Sequence, residues 1–387
     1  MTPPTDVSAG LARHRRATVL AFASQGLVFI SLTTRLPDFA DRWDLGELEL
    51  SLLLLLMVLL AGVGSVVAER LAARHDSATV LRAGLLLTAV AVPTLALAPA
   101  FAAFVVGLAA YGVALGVVDA TANMQAVAIE HGYGRPILPS FHGAWTAGGV
   151  VGAAVTLATS GLASGTAAAV AALPLAVALT AGFLPRAEVP GEGVAVTVPW
   201  RPIVLVGLGM VVFYMVDTAA TTWGATYLDD TVVAPSGLVA LATLPYLLAS
   251  LVVRLAGDRL VQTHGVVAVL RTGAVVACVG LATVVLAPDW PVAVLGFTVA
   301  GAGVAVVAPL SFSAAARIAG GSQAQVDAVV ARFNQFNYVG ALLGAVLTGV
   351  VGSDSLRVGF AVPAVLVLAL VPLARAFAAD EPGRQSA

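Results

Sequence analysis

The segment Glu69–Leu115, ERLAARHDSATVLRAGLLLTAVAVPTLALAPAFAAFVVGLAAYGVAL, recurs 189 positions later as Asp258–Val304, DRLVQTHGVVAVLRTGAVVACVGLATVVLAPDWPVAVLGFTVAGAGV. The two copies align without a gap and share 15 of 47 positions. Identities between Ala, Val and Leu carry little weight in apolar sequence. Arg70, Leu71, His75, Arg82, Gly84, Pro99, Gly107 and Gly112 reappear in register as Arg259, Leu260, His264, Arg271, Gly273, Pro288, Gly296 and Gly301, and these carry the match. The offset is close to half of the 387 residues, so the chain reads as two copies of one unit.

Outside the repeat, the composition sets the environment. The chain is 59% hydrophobic and 10% charged, with a mean hydropathy of +0.98. A water-soluble chain of this length needs far more charge to cover its surface. Twelve apolar stretches, each about 20 residues and so long enough to cross a hydrocarbon core, are centred near Ala23, Leu56, Ala91, Tyr111, Val150, Ala172, Val212, Leu244, Val276, Ala302, Gly340 and Leu366. The expected fold is an all-α membrane protein with twelve transmembrane helices, six per copy. An apolar first stretch behind Arg13, Arg15 and Arg16 resembles a secretory leader, but no small-residue cleavage site follows it, so it reads as a mature helix.

The arginines orient the chain. With the N-terminus inside, 16 of the 19 basic residues fall on the cytoplasmic side and only Arg35, Arg42 and Arg357 fall outside. Both termini are expected in the cytoplasm of a bacterial-type inner membrane. Six helices per half give both copies the same sense, so the halves are parallel repeats about an axis along the membrane normal. The expected division is residues 1–185, a polar Pro/Gly-bearing linker at 186–200, and residues 201–387, ending in a short disordered tail. The single cysteine, Cys278, excludes an intrachain disulfide. No metal-binding pattern, cofactor motif or nucleic-acid-binding charge is present. With no lysine anywhere, an ATP-binding GxxxxGK[ST] loop is excluded. Neither HExxH nor GxSxG occurs, which argues against an enzyme.

Two six-helix halves, a cytoplasmic link and a charged loop after the second helix of each half resemble the major facilitator superfamily of transporters. The loop elements are Ser65-Val-Val-Ala-Glu69-Arg70-Leu-Ala72-Ala-Arg74 and Arg254-Leu-Ala-Gly-Asp258-Arg259-Leu, both degenerate forms of the superfamily pattern. A narrower resemblance, to the fucose-permease-like bacterial branch, rests on GVVDATANMQAVAIEHGYGRPILPSFHGAWTAGGVVG, residues 116–152, with Asp119, Asn123, Glu130, Gly134-Arg135-Pro136, His142 and Trp145. The resemblance implies a secondary active transporter working by alternating access. It also implies that helices one, four, seven and ten line a central path. A small-molecule substrate, a proton and the lipid bilayer are the implied partners, and a monomer is expected.

Ionisable residues inside a span are costly and so demand a reason. Asp119 lies in the fourth span with Asn123 one turn on. Asp217 lies in the seventh, before Thr218, Thr221 and Thr222. A carboxyl in a closing cavity is suited to gaining and losing a proton, which makes Asp119 the candidate coupling group. The alternative for each acid is a fixed hydrogen bond, Asp119 with Asn123 or Asp217 with a neighbouring threonine. The eleventh span carries Arg332, Asn334, Gln335, Asn337 and Tyr338, too many polar groups for a lipid-facing helix. Asn334 and Asn337 are candidate solute contacts; Arg332 reaches the cytoplasmic gate or pairs with Asp327. Gln25 is the polar residue of the first span, where sugar–proton symporters resembling fucose permease carry an acid. The missing acid counts against both sugar specificity and that coupling scheme, and Gln25 either bonds a polar substrate or sits in a helix contact.

Glu69, Arg70, Asp258 and Arg259 in the repeated loops, with Arg135 and Arg332, are the candidate gating set. Of these, Glu69 is expected to face the start of the eleventh helix and Asp258 the start of the fifth. His142 and Trp145 read as either a pH-sensitive gate or a packed aromatic pair. A site built from Asp119, Asp217, Asn337 and Gln25 suits a polar neutral or cationic solute: sugars, amino-acid-like compounds and organic cations qualify. A drug or metabolite efflux antiporter is the alternative within transport. The fifth-helix run Ala147-Gly148-Gly149-Val150-Val151-Gly152 lacks the proline of a typical export element, which favours uptake, although such small residues also permit close helix packing. A non-transporting scaffold or sensor is the alternative from another class.

Overall fold

A computed structural model describes residues 4–133, 137–185, 199–319, 329, 333 and 335–378, without the side chains of residues 4–9, 47, 69, 73, 131, 139 and 258. Among them there are helices and no strand. In the first half the chain runs α1 (Pro4–Thr33), α2 (Leu36–Trp43), α3 (Glu47–Arg74), α4 (Ser77–Ala96), α5 (Phe101–Tyr133), α6 (Leu138–Ala158) and α7 (Ala172–Thr180). In the second it runs α8 (Trp200–Thr226), α9 (Leu244–His264), α10 (Val266–Val285), α11 (Trp290–Val304), α12 (Val307–Ala319), α13 (Gln335–Leu342), α14 (Thr348–Val351), α15 (Leu356–Leu366) and α16 (Leu370–Leu373).

Nine helical stretches among the described residues are long and apolar enough to cross a bilayer. The remaining three expected spans correspond to α6 and to the shorter apolar stretches Ser164–Thr180 and Gln335–Val351. Each of the twelve expected centres falls inside one of these segments. Pro99 lies between α4 and α5, which settles the division of that apolar run into two helices.

Local chemistry sets the helix starts. The Asp76 side chain accepts from the Ala78 N–H at 3.1 Å and so caps α4. Asp289 caps α11 in the same way, accepting from Val292 N–H at 3.2 Å, and Pro291 occupies the first turn, where no N–H is needed. Asp76 aligns with Gly265 across the repeat. At that position the second copy instead makes its turn with a left-handed backbone, φ 77°, which favours glycine.

The helices gather into two compact units, Met1–Glu192 with Pro235–Leu244, and Gly193–Ala234 with Pro245–Ala387. In the first, α1 packs along α6, α5 against α3 and α4, and α4 against α7. Phe22, Leu81, Leu85, Ile129, Phe141 and Val177 belong to one of its apolar cores. In the second, α8 packs against α13, and α10 against α11 and α15. Tyr227, Phe297 and Phe360 meet there edge to face, with ring centroids 5.3–6.0 Å apart.

The sequence repeat returns as packing. A Cβ on Gly112 would collide with the carbonyl oxygen of Met57, and one on Gly301 with that of Tyr246, its equivalent 189 positions on. Gly107 lies against Leu95, and Gly296 against the equivalent Val284. Arg82 donates to the Ala181 carbonyl at 2.9 Å. Its counterpart Arg271 donates to the Val371 carbonyl at 3.1 Å. In both copies the arginine that starts the third span thus ties down a carbonyl near the end of the sixth. A second glycine pattern lies outside the aligned block. Gly148 and Gly152 on α6 abut the backbone of α1 at Ala23 and Leu27, and Gly340 and Gly344 abut that of α8 at Val211 and Met215. The small residues of the fifth and eleventh spans therefore serve close helix contact.

Candidate substrate and proton site

Asp119 and Asn123 occupy one face of α5, both half-buried. The Asn123 amide donates to the Asp119 backbone carbonyl at 2.9 Å and more weakly to its carboxylate, Oδ1, at 3.4 Å. Asn123 thus orients the acid while leaving it partly accessible. Gln25 on α1 is buried and lines a small cavity with Ser24, Val28, Leu85, Thr88, Tyr111, Leu115 and Val118. Its wall contains neither Asp119 nor Asn123.

In the second unit Asp217 is buried on α8, 8% exposed. Its partner comes from another helix: the Tyr246 hydroxyl on α9 donates to Asp217 Oδ1 at 2.8 Å. Thr221 bonds the Asp217 backbone carbonyl at 2.7 Å rather than its side chain, the usual i to i−4 habit of a helical threonine. Arg254, on the same helix as Tyr246, lies over the Phe213 ring at 5.9 Å and donates to the Ala305 carbonyl at 3.0 Å. Asn337, on α13, is buried. That helix is followed by a π-helical turn, Leu343–Leu347, whose Ala345 carbonyl accepts from the Trp223 indole at 2.6 Å.

Arg70 and Arg259 are exposed near the ends of α3 and α9. Glu69 and Asp258 sit in the same helical turns, but their side chains, and Arg135, Asp327, Arg332 and Asn334 altogether, lie outside the described residues. The His142 ring meets Phe22 edge-on at 5.5 Å and the Trp145 ring lies 6.1 Å from Phe29, so both pack against α1.

The sequence reading gave no structural role to residues that tie helices together within the first unit. Gln125 is 1% exposed. Its amide donates to Ser77 Oγ at 2.8 Å and the Leu184 carbonyl at 3.0 Å, and its oxygen accepts from Leu184 N–H at 2.8 Å. Glu130 accepts from Ile137 and Leu138 N–H at 2.6 and 2.7 Å, capping α6. A signal for Tyr246 did exist. Asp217 and Tyr246 align at the repeat offset with Val28 and Met57, so two apolar positions turned polar together in one copy.

No protein-family model matches the chain. It is 28% identical over 372 residues to an uncharacterized MFS-type transporter of Yersinia pestis, covering 93% of this chain and 94% of that one. It is 28% identical over 313 residues to an uncharacterized transporter of Sinorhizobium fredii, covering 78% and 82%. Among solved structures, a mutant of the nucleoside transporter NupG matches with a TM-score of 0.72 at 16% identity, covering 95% of this chain and 99% of that one. The E. coli fucose:proton symporter FucP matches with a TM-score of 0.66 at 15% identity, covering 93% and 97%. These relatives and neighbours are transporters and not enzymes. Over nearly its whole length the chain is thus similar to a protein named as an MFS-type transporter, and it shares the helical fold of solved major facilitator superfamily transporters.

Proposed function

We propose that the chain is a secondary active transporter of a small polar solute, coupled to protons through Asp119. The observation that carries this reading is the Asp119–Asn123 pair, half-buried on α5 within an apolar span. An ionised carboxylate is costly in a closed, dry site and stable in a wetted one, whereas the protonated acid is cheap to bury. The group therefore links its proton to the opening and closing of its surroundings. Asn123 offers an amide that bonds either form. Asp217, already bonded to Tyr246, serves as a fixed polar anchor of the second unit, and Asn337 and Gln25 are further polar side chains for a neutral or cationic solute. The E. coli neighbour is named as a proton symporter, which agrees with this reading at the level of the fold.

The rest of the proposal concerns architecture and gating. Residues 1–185 and 201–387 form the two halves, with the termini in the cytoplasm of an inner membrane and the protein acting as a monomer. Glu69, Arg70, Asp258 and Arg259, with Arg135 and Arg332, close the cytoplasmic side. A thermal-shift screen of purified protein against sugars, amino-acid-like compounds and organic cations identifies the solute. Binding of that solute is then followed by proton uptake or release in weakly buffered solution. A proton change present in wild type and lost in Asp119→Asn supports the proposal; solute binding with an identical proton change in both refutes it.

A further inference from the structure

The cavity around Gln25 lies wholly inside the first unit, walled by α1, α4 and α5. Gln25 Oε1, Ser24 Oγ and the Tyr111 hydroxyl are all buried, and none has a protein hydrogen-bond partner. Ser24 is 1% exposed, Tyr111 2% and Gln25 8%. Thr88, in the same wall, donates to the Gly84 carbonyl of its own helix at 3.0 Å and retains its acceptor capacity. Orphaned polar atoms at this depth are rare, and here three belong to side chains that line one space.

The rest of the wall, Val28, Leu85, Leu115 and Val118, supplies no polar side chain and no charge. We propose that this cavity binds an ordered water molecule shared by Gln25, Ser24 and Tyr111. The space is about the size of one water. The donor set suits it: the amide oxygen takes a water proton, while either hydroxyl can give one to the water oxygen or accept one from it. With no carboxylate in the wall, neutral water is favoured over a bare cation, whose hydration four neutral oxygens replace poorly. In the second copy the positions equivalent to Thr88 and Tyr111 are Ala277 and Ala300, which carry no polar side chain. The site therefore belongs to the first unit alone.

Radiolytic hydroxyl labelling in 18O water, read by mass spectrometry, tests this, because bound internal water labels adjacent side chains that bulk solvent does not reach. Tyr111 is expected to be labelled far more than Phe141, a fully buried ring in the dry core of the same unit. When 18O water is mixed in shortly before the pulse, incorporation of 18O at Tyr111 should lag behind that at exposed side chains, because an internal water exchanges slowly. Gln25→Leu should reduce the labelling several-fold while Phe141 is unchanged; if that variant does not fold, Ser24→Ala should give the same direction. Tyr111 labelled no more than Phe141 in wild type overturns the proposal. So does a thermal stabilisation by sodium that Gln25→Leu abolishes, since that assigns the site to a cation.

Discussion

The Tyr246 hydroxyl bonds Asp217 Oδ1 at 2.8 Å across two helices of the second unit, with both side chains buried. Removing one member of such a pair strands the other, at a cost of about 1–3 kcal/mol, whereas replacing both by apolar groups is close to neutral. Tyr246→Phe is therefore expected to lower stability by about that amount, and Asp217→Val/Tyr246→Phe to recover most of it. Thermal unfolding of the two single variants and the double variant in detergent measures the coupling. A double variant that loses the sum of the two single losses contradicts it.

The repeated glycines make a second test. Alanine at Gly112 or Gly301 would place Cβ against the carbonyl of Met57 or Tyr246. Each substitution is expected to cost about 1–3 kcal/mol through overpacking, outweighing the gain in helix propensity. Gly62 on α3 has nothing within 4 Å of an added Cβ, so Gly62→Ala should stabilise by about 0.5–1 kcal/mol. The sign of the melting-temperature change separates packing glycines from idle ones. Destabilisation at Gly62, or none at Gly112 and Gly301, would remove the basis of this assignment.

Glu130 accepts from the N–H groups of Ile137, which precedes α6, and Leu138, which begins it. Glu130→Ala should cost about 1–2 kcal/mol, the usual loss when a helix cap is deleted. Glu130→Gln, which keeps an acceptor oxygen, should cost less. Chemical unfolding of the variants in mild detergent provides the comparison, and equal losses would mean that the cap acts through charge alone.

Asp38, in α2 outside the spans, pairs with the buried Arg35 at 3.1 Å. Burial raises its carboxyl above the ordinary carboxylate range, outweighing the opposing Arg35 charge and hydrogen bond, and Asp41 adds to the rise. A folded-state pKa above the unfolded value means the folded chain holds the proton more tightly. Stability is therefore lower at neutral pH and rises as pH falls through the raised pKa toward the unfolded value. Asp38→Asn keeps an oxygen for Arg35 and removes the charge. It should melt above wild type near pH 7, with the gap closing by about pH 4. A gap that widens on acidification contradicts the assignment.

Much of the fold was legible because it rests on periodic and local features. Apolar span length, the arginine bias and the in-register Gly, Arg and Pro positions led to twelve helices in two equivalent sets. The same glycines then proved to be the helix contacts. Asp119 and Asn123 were legible as a pair because a helix brings i and i+4 together. What escaped depends on partners distant in the chain. For Asp217 the fixed-bond alternative named a threonine on its own helix, but Thr221 bonds the backbone and the partner of the carboxylate is Tyr246 from α9. Arg42 reaches the Ala96 and Ala98 carbonyls, while Arg357 reaches Val285, the equivalent of Ala96, from a different helix. No sequence pattern marks that exchange, because one carbonyl is served by guanidinium groups from unrelated positions.

The central claim is that Asp119 carries the coupled proton. Its most direct test is solute accumulation in proteoliposomes under an imposed inward proton gradient, with solute counterflow measured in the same preparation. Asp119→Asn is expected to retain counterflow and to lose gradient-driven accumulation. Full proton-driven accumulation in Asp119→Asn would contradict the account.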